Sequence, residues 1–362
     1  MSTKVAVIGG GYGGSALAKA LDEHAEVVLV DPKDAFVHSA GALRALVDPD
    51  WAPNMFFSYG KLLTRGSVVR DRAASVDPEG VTLASGTRLD ADYIVLASGS
   101  RYPYPAKMDT DDHHEALGRL RDTHTELAGA ERVLIVGAGP VGLELAGEIA
   151  SVWPGKAVTL LDPAEQLLPA FADEVREDLH RQLGEFGVEL RLGTSLTGQP
   201  PSEPGHAKTF TVATTRGEVT ADIWFRAYGV DVNGDYLGDG RLTERTPRGQ
   251  VRVTENLNVD GHANVYAIGD ITDLAEAKMA GHAMQHAEIA AANITAQIKG
   301  EVPEAVYRPS PIPSVLLPLG PKAGVGQFPG EDGPLVLDAA TVSAYKGADL
   351  FTGRFHDLFG TG

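Results

Sequence analysis

The chain has 362 residues, of which 43% are apolar, and a formal charge of -18 at pH 7. This length suggests roughly two to three domains with a large core. The negative charge argues against nucleic acid as a ligand and against broad attraction to anionic lipid. The chain contains no cysteine, which excludes disulfides, thiolate metal sites and a redox-active dithiol.

The start of the sequence leads directly into an apolar strand pattern, and no run of about 18 apolar residues occurs along the chain. We therefore expect no secretory or transit segment and no membrane span, with the cytoplasm as the compartment. Ser2 stands where N-myristoylation would require glycine.

A nucleotide-binding pattern occupies residues 4–31. A predicted strand at 5–8 leads into a glycine cluster, a predicted helix at 15–21 follows, and a strand at 27–30 ends at Asp31. Gly9, Gly11 and Gly14 have the G-x-G-x-x-G spacing of the dinucleotide fingerprint, with the acid about 20 residues later. In that fingerprint the glycines permit a tight turn, approach of a pyrophosphate and close helix packing, and the acid binds a ribose diol.

The next segment predicts a short helix at 42–47 and a strand meander from 67 to 95 with glycine turns at 80 and 86. Its last strand ends in Ala97, Ser98 and Gly99, small residues at which a ligand can approach the backbone. Prolines near residue 105 mark a domain crossing, and a polar helix is predicted at 111–129.

The opening pattern then occurs a second time. A strand at 132–136 is followed by Gly137, Gly139 and Gly142, a helix at 143–150, and a strand at 158–161 that ends at Asp162. Two complete fingerprints imply two dinucleotides, for which FAD and a nicotinamide nucleotide are the usual pair. Asp162 can bond a ribose 2′-OH and would repel a 2′-phosphate, which favours NADH and leaves NADPH as an alternative.

The remainder predicts a helix at 173–187, strands at 188–192, 209–214 and 223–230, a strand at 264–270, and a long helix at 278–299. His282 and His286 lie one turn apart on that helix, but no third ligand is evident, so no metal site is predicted. Residues 309–362 predict short strands and a final helical stretch.

The final stretch carries an amphipathic stripe of Phe351, Phe355, Leu358 and Phe359. This stripe could lie in a bilayer interface, pack on the protein itself, or form a dimer contact.

The motif set GGGYGG with Asp31, GAGPVGLELAGEI, ASGS, NVYAIGD and KMAGHAMQHA resembles one family. This is the ferroptosis suppressor protein (apoptosis-inducing-factor-like) family of FAD-dependent NAD(P)H oxidoreductases, which is related to type II NADH:quinone oxidoreductases. The likeness implies an α/β fold with two Rossmann-like domains, the NAD domain inserted into the FAD domain, and a small C-terminal α+β region. We expect the FAD domain at 1–105 and 236–300, the NAD(P)H domain at 106–235, and the C-terminal region at 301–362.

The resemblance also implies roles for individual residues. The expected FAD-binding residues are Gly9, Gly10, Gly11, Tyr12, Gly13, Gly14, Asp31, Lys33, Arg44, Ala73, Ala97, Ser98, Gly99, Gly269, Asp270, Met279 and Ala280. The expected nicotinamide-nucleotide residues are Gly137, Gly139, Gly142, Asp162 and Gly229. The loop at 32–41, with His38, would come near the flavin ring.

Two residues are candidates for the chemistry. Lys278 opens a helix whose positive N-terminus would stabilise reduced flavin; a solvated helix-end lysine is the alternative. Glu144 matches a family glutamate near both cofactors, and an exposed first-turn acid is the alternative. Glu148 is expected to face solvent or a neighbouring helix.

The implied reaction passes hydride from NADH to FAD and then electrons to a quinone-like acceptor, directly, because no dithiol exists. Alternatives are a reductase of an electron-transfer protein, a secondary-metabolism oxidoreductase acting on a small aromatic, and a flavin-binding redox sensor. A homodimer and peripheral contact at the inner face of a membrane remain open.

Overall fold

The computed structural model describes residues 2–361. The strands in chain order are β1 (Lys4–Ile8), β2 (Glu26–Asp31), β3 (Phe36–Val37), β4 (Phe56–Phe57), β5 (Ser67–Arg70), β6 (Ala73–Asp77), β7 (Gly80–Leu83), β8 (Arg88–Asp90), β9 (Tyr93–Leu96), β10 (Ser100–Arg101), β11 (Arg132–Val136), β12 (Ala157–Leu161), β13 (Glu189–Arg191), β14 (Phe210–Thr214), β15 (Gly217–Ala221), β16 (Ile223–Arg226), β17 (Asp231–Val232), β18 (Val265–Ala267), β19 (Val315–Pro318), β20 (Gly324–Gly330) and β21 (Gly333–Leu337). The helices are α1 (Tyr12–Leu21), α2 (Ala42–Val47), α3 (His113–Gly129), α4 (Pro140–Val152), α5 (Asp173–Glu185), α6 (Ala280–Ile298), α7 (Ala339–Val342) and α8 (Thr352–Phe359).

The first domain is built on a five-stranded parallel sheet in the order β18-β9-β1-β2-β5. Its central strands are apolar runs because both faces of the sheet are covered. One face packs against α1 and α6, and the other faces the antiparallel meander β6-β7-β8. This arrangement leaves the carboxyl ends of the strands at one edge, where ligands bind in such folds.

The second domain repeats the plan with four parallel strands in the order β13-β12-β11-β16. Helices α3, α4 and α5 pack on one face, and the hairpin β14-β15 covers the other. The predicted strand at 223–230 ends at Arg226, and Gly229 has a φ of +95° in the segment beyond it. The two parallel sheets confirm the predicted α/β class with two Rossmann-like units.

The two crossings between the domains pair with each other. Strand β10, on the way out, is antiparallel to β17, on the way back, with Ser100 opposite Val232. Because the second domain is entered and left through one ribbon, it is an insertion into the first.

The C-terminal region is a three-stranded antiparallel sheet, β19-β20-β21, followed by α7, a π-helical turn at Ser343–Gly347, and α8. It packs on the second domain: the Gln182 side chain of α5 accepts from Gly324 N at 2.7 Å and donates to Gly324 O at 2.9 Å. Because Gly147 of α4 lies directly against Leu319, a Cβ there would overlap the Leu319 backbone.

The amphipathic stripe of the last helix packs on the protein itself. Phe355 is 3% exposed and Phe359 is fully buried, both among aromatic rings of the first domain, including Phe36 and Phe57. No helix between residues 2 and 361 combines the length and apolarity needed to cross a bilayer.

Asp22, at the end of α1, holds the loop before β5 in place. Its carboxylate accepts hydrogen bonds from the backbone N–H groups of Thr64 and Gly66, each at 2.6 Å. Burial opposes ionisation, but the hydrogen bonds from Thr64, Gly66 and Arg65 outweigh it and lower the pKa of Asp22 to about 2. A depressed pKa means that the ionised carboxylate stabilises the fold above its unfolded pKa and ceases to do so as pH falls through about 2.

We expect Asp22→Asn to lower the free energy of unfolding by about 2 kcal/mol at pH 7. The difference from the wild type should shrink as the pH falls from 4 towards 2, since the wild-type carboxylate is then protonated. Urea unfolding at several pH values measures this, with Asp260→Asn at an exposed position as the control. A difference that is constant with pH would contradict the assignment.

Candidate cofactor and active site

The first glycine turn is shaped by close backbone contacts on one side and open space on the other. Gly9 has a φ of +105°, which a residue with a side chain rarely adopts. A Cβ on Gly14 would overlap the carbonyl oxygen of Gly9, so the helix can approach the strand this closely only at a glycine. At Gly11 a Cβ would meet no atom within 4 Å, and no side chain caps the N-terminus of α1. Gly11 therefore leaves room beside free N–H groups, which suits a pyrophosphate.

Asp31 is tied to this turn at the end of β2. Its carboxylate accepts from Gly10 N at 2.6 Å and from Lys33 N at 2.8 Å. Burial raises the pKa of Asp31, although the two hydrogen bonds act in the opposite direction. Tyr59 donates to Gly10 O at 2.9 Å, a contact that the sequence alone did not indicate. The acid and the glycine turn thus form one rigid unit.

The second glycine turn has the same geometry. Gly137 has a φ of +110°, and a Cβ on Gly142 would overlap the Gly137 carbonyl oxygen. Gly139 faces open space, again with no atom within 4 Å of an added Cβ. Asp162 accepts from Ala138 N at 2.6 Å and from Ala164 N at 2.8 Å, as Asp31 does in the first turn. The duplication seen in the sequence is therefore a duplication in space.

Asp270 lies just past β18, at the carboxyl edge of the first sheet. Gly269 has a φ of +72°, which turns the chain there. Ser100 Oγ donates to the Asp270 carboxylate, and Lys107 Nζ lies 3.2 Å from the same oxygen. Lys107 comes from the domain crossing, and no motif in the sequence pointed to it.

The start of α6 differs from its prediction by two residues. The helix begins at Ala280 with Met279 as its uncapped N-cap, so Lys278 lies in the preceding irregular segment. Lys278 Nζ donates to Thr272 O at 2.7 Å. Burial lowers the pKa of Lys278, partly offset by Asp270 and neighbouring acids. Lys278 is therefore a half-buried cation fixed close to Asp270 and is not a solvated helix end.

Glu144 and Glu148 on α4 each form an ion pair, which is partly buried for Glu144 and buried for Glu148. Glu144 Oε1 lies 2.7 Å from Nζ of Lys346, which projects from the π-helical turn of the C-terminal region. Glu148 accepts two hydrogen bonds from the Arg44 guanidinium of α2, at 2.7 and 2.8 Å. Burial raises the pKa of both carboxyls, and their cationic partners oppose this. Glu148 thus faces a neighbouring helix, one of its two predicted alternatives.

Arg44 has its guanidinium engaged within the protein. Besides Glu148 it donates to Gly347 O at 3.0 Å. The FAD contact predicted for Arg44 stays a prediction, and the structure adds that this arginine joins three parts of the chain. Lys346 was missed from the sequence because it lies 202 residues from Glu144.

His38 is fully enclosed in the loop after β3. Its Nδ1 is 2.9 Å from the Tyr12 hydroxyl, and its Nε2 is 2.6 Å from Leu350 O. The Tyr12 hydroxyl accepts from Ala40 N at 2.9 Å, so its own proton points to His38. Burial lowers the pKa of His38 to about 4, and the ring is a neutral link between α1 and the C-terminal region.

The other predicted positions lie around these units. Lys33 Nζ donates to Thr110 O at 2.6 Å, and Ser98 Oγ donates to Asn233 O at 2.6 Å. Gly99 has a φ of +66°. Ala73 is the first residue of the meander strand β6. Gly229 is exposed. It lies two residues beyond Ala227, which packs against both Gly137 and Gly142.

Asp34, Asp112 and His113 come together at the start of α3, where their ligand atoms lie within 4.8 Å of one another. Hydrogen bonding explains this group: Asp34 accepts from His113 N at 3.0 Å, and Asp112 caps the helix.

Comparison with known proteins fits this geometry. Residues 3–293 match the family model of the pyridine nucleotide-disulphide oxidoreductases. The chain belongs to this family. As a member it is a flavoprotein oxidoreductase that uses FAD and a nicotinamide dinucleotide. Because the chain has no cysteine, it lacks the disulphide in the family's name.

Within the family, the chain is 33% identical to ferroptosis suppressor protein 1 of Taeniopygia guttata, over 98% of this chain and 95% of that protein. It is 29% identical to apoptosis-inducing factor homolog B of Dictyostelium discoideum, over 97% and 95% of the two chains. These relatives confirm the resemblance given by the motifs. Among solved structures, the sulfide:quinone oxidoreductase of Aquifex aeolicus has the same fold, with a TM-score of 0.78 at 17% identity, over 99% of this chain and 92% of that one.

Proposed function

We propose that this family member is an FAD-dependent NADH oxidoreductase that passes electrons from its flavin directly to a quinone-like acceptor. The observation that carries the proposal is the pair of glycine turns with identical geometry in a chain without cysteine. Bound FAD would supply two-electron oxidation of the nicotinamide and delivery of those electrons to a second substrate. With no dithiol, that substrate must meet the flavin itself.

The first turn, from Gly9 to Gly14, together with Asp31, would hold the ADP half of FAD. Asp270 would bind the ribityl chain. The other proposed contacts with FAD are those of Lys33, Arg44, Ala73 and Ala97–Gly99. The second turn, with Asp162 and Gly229, would hold the nicotinamide nucleotide. The ribbon of β10 and β17 supports the proposed limits of 106–235 for this second unit.

The charged residues between the two units would set the electrostatics. Lys278 and the uncapped start of α6 place positive charge near Asp270, which would favour negative charge developing on a bound flavin. Lys346, 2.7 Å from Glu144, opposes the effect of burial on the pKa of that carboxyl and would orient it as a hydrogen-bond partner for the nicotinamide. In this scheme Glu144 and Lys278 are the catalytic residues.

A quinone is favoured as acceptor over a protein. The chain shares its fold with a sulfide:quinone oxidoreductase from Aquifex aeolicus. The charge of -18 would repel an acidic electron carrier such as a ferredoxin.

The test is a spectroscopic titration of the purified protein. We expect a yellow protein that NADH bleaches under anaerobic conditions and that a quinone analogue, but not a ferredoxin, recolours. A colourless protein that takes up no added FAD would contradict the proposal. A bleached protein reoxidised only by small aromatic substrates would replace the quinone with the alternative acceptor.

Asp162 provides a test of the coenzyme. We expect Asp162→Ala to lower kcat/KM for NADH about tenfold and to raise it for NADPH, since the acceptor of the 2′-OH and the repulsion of a 2′-phosphate are both lost. Steady-state kinetics with both coenzymes measure this, and an unchanged FAD content serves as the control. A wild-type enzyme that prefers NADPH would overturn the role of Asp162.

A further inference from the structure

Glu276 is an acid with a largely covered side chain in the irregular segment between Asp270 and α6. Only 7% of its side chain is exposed. Oε2 accepts from the Tyr307 hydroxyl at 2.6 Å, and Oε1 lies 2.9 Å from His286 Nε2. Burial opposes ionisation, but the Tyr307 hydroxyl and the nearby imidazoles of His286 and His282 outweigh it and lower the pKa of Glu276. One carboxylate therefore joins α6 to the segment that follows it.

His286 extends the connection to the Asp270 turn. Gly269 N donates to His286 Nδ1 at 3.0 Å, and the ring is 1% exposed. Because Nδ1 accepts this bond, the ring proton is on Nε2, the nitrogen that faces Glu276. The Tyr307 ring packs edge-on against the imidazole, with centroids 4.2 Å apart. The chain of contacts runs from Tyr307 through Glu276 and His286 to the backbone of Gly269.

The same connection fixes the segment that carries Lys278. That lysine is two residues beyond Glu276, and its amine is held by Thr272 O. Glu276 thus holds the middle of a segment whose two ends carry Asp270 and Lys278. His282, the other histidine of the pair, has its Nδ1 2.9 Å from Ala277 O and 3.6 Å from Glu276 Oε2. Both histidines therefore contact this segment.

We propose that Glu276 is a positioning residue for the flavin: through His286 it holds the Gly269–Asp270 turn and the Lys278 segment in the conformation that binds FAD. This inference rests on the proposed function. A carboxylate suits the task because its two oxygens face the Tyr307 hydroxyl and the His286 imidazole at once, while an apolar side chain would leave the Tyr307 hydroxyl without its acceptor and the buried His286 Nε2 with no polar atom beside it.

The experiment compares Glu276→Ala and Glu276→Gln with Glu288→Gln, an exposed position on α6. The readouts are the FAD dissociation constant, the flavin midpoint potential, and hydrogen–deuterium exchange of residues 265–279 in the apoprotein. We expect Glu276→Ala to raise the FAD dissociation constant about tenfold, to shift the potential, and to speed exchange in this segment. KM for NADH should stay within about twofold, because the second turn is untouched. Glu276→Gln should fall between alanine and wild type, since an amide oxygen accepts from only one of the two donors with ease.

Wild-type FAD affinity, potential and exchange in Glu276→Ala would overturn the inference. If Glu276→Ala does not fold, the same three measurements on Glu276→Gln test the inference, with Glu288→Gln as the matched control. A change in thermal stability alone, with FAD affinity and potential unchanged, would show a structural role only and would equally overturn it. A wild-type protein that takes up no FAD would instead contradict the proposed function, so the two failures are distinct.

Discussion

Alanine at Gly14 is expected to prevent folding, whereas alanine at Gly11 is expected to leave a folded protein that binds FAD weakly. At Gly14 the new Cβ would overlap the Gly9 carbonyl oxygen, and both groups are held by the packing of α1 on β1. A clash with fixed backbone in a core turn belongs with the largest single-residue effects, above about 4 kcal/mol. At Gly11 the backbone has a φ of -73° and the Cβ meets no atom, so the free protein tolerates it. The methyl group would occupy the space left for a pyrophosphate.

Circular dichroism and FAD titration separate the two variants. Gly11→Ala should unfold at the wild-type temperature without FAD and bind FAD at least about tenfold more weakly, which is about 1.4 kcal/mol. The second turn offers a matched pair: Gly142→Ala should fail to fold, and Gly139→Ala should lose NADH affinity while keeping FAD. Wild-type FAD affinity in Gly11→Ala would show that the cofactor does not approach this turn.

Glu148→Ala is expected to lower the free energy of unfolding by about 3–5 kcal/mol, because it leaves the Arg44 guanidinium buried without a counter-charge. The two side chains are 8% and 4% exposed, and their contact is bidentate. Arg44→Lys is expected to be destabilising as well, since an ammonium group cannot reproduce the two parallel bonds. Arg44 also holds Gly347, so the loss should loosen the C-terminal region that carries Lys346.

Urea unfolding at saturating FAD measures this effect. The control is Glu185→Ala, which breaks an exposed pair with Arg181 at 2.8 Å and should cost less than about 0.5 kcal/mol. The double replacement Arg44→Met with Glu148→Leu should recover much of the lost stability, because two well-packed apolar residues need no charge compensation. A loss in Glu148→Ala no larger than in Glu185→Ala would contradict a buried, structurally coupled pair.

Patterns within short stretches of sequence predicted local structure well. The helix at 42–47 has its predicted bounds, and the strand at 132–136 does too. The predictions were wrong at the ends of some helices and strands, where a distant contact or a turn determines the last residue. The strand expected to reach Val230 ends at Arg226, ahead of the positive φ at Gly229.

The residues of the candidate site also fall into two groups, those that local sequence patterns predicted and those that they did not. Both glycine turns and their acids were predictable because a strand, a turn and a helix adjacent in sequence form each unit. The partners Lys346, Lys107 and Tyr59 were not, because each reaches the site from a segment that is distant in sequence from the residue it contacts. Glu144 and Lys346 are 202 residues apart, and no local spacing relates them.

The amino-acid sequence alone determined that this protein has two matching glycine turns and no thiol, because glycine conformation, residue spacing and cysteine content are local properties. The tertiary structure alone decided which charges meet: Glu144 with Lys346, Glu148 with Arg44, and Glu276 with His286. It also decided that Phe355 and Phe359 pack inward. These outcomes depend on which surfaces are buried together, and burial is a property of the whole fold, since a charge or an aromatic ring is stabilised only by the groups around it.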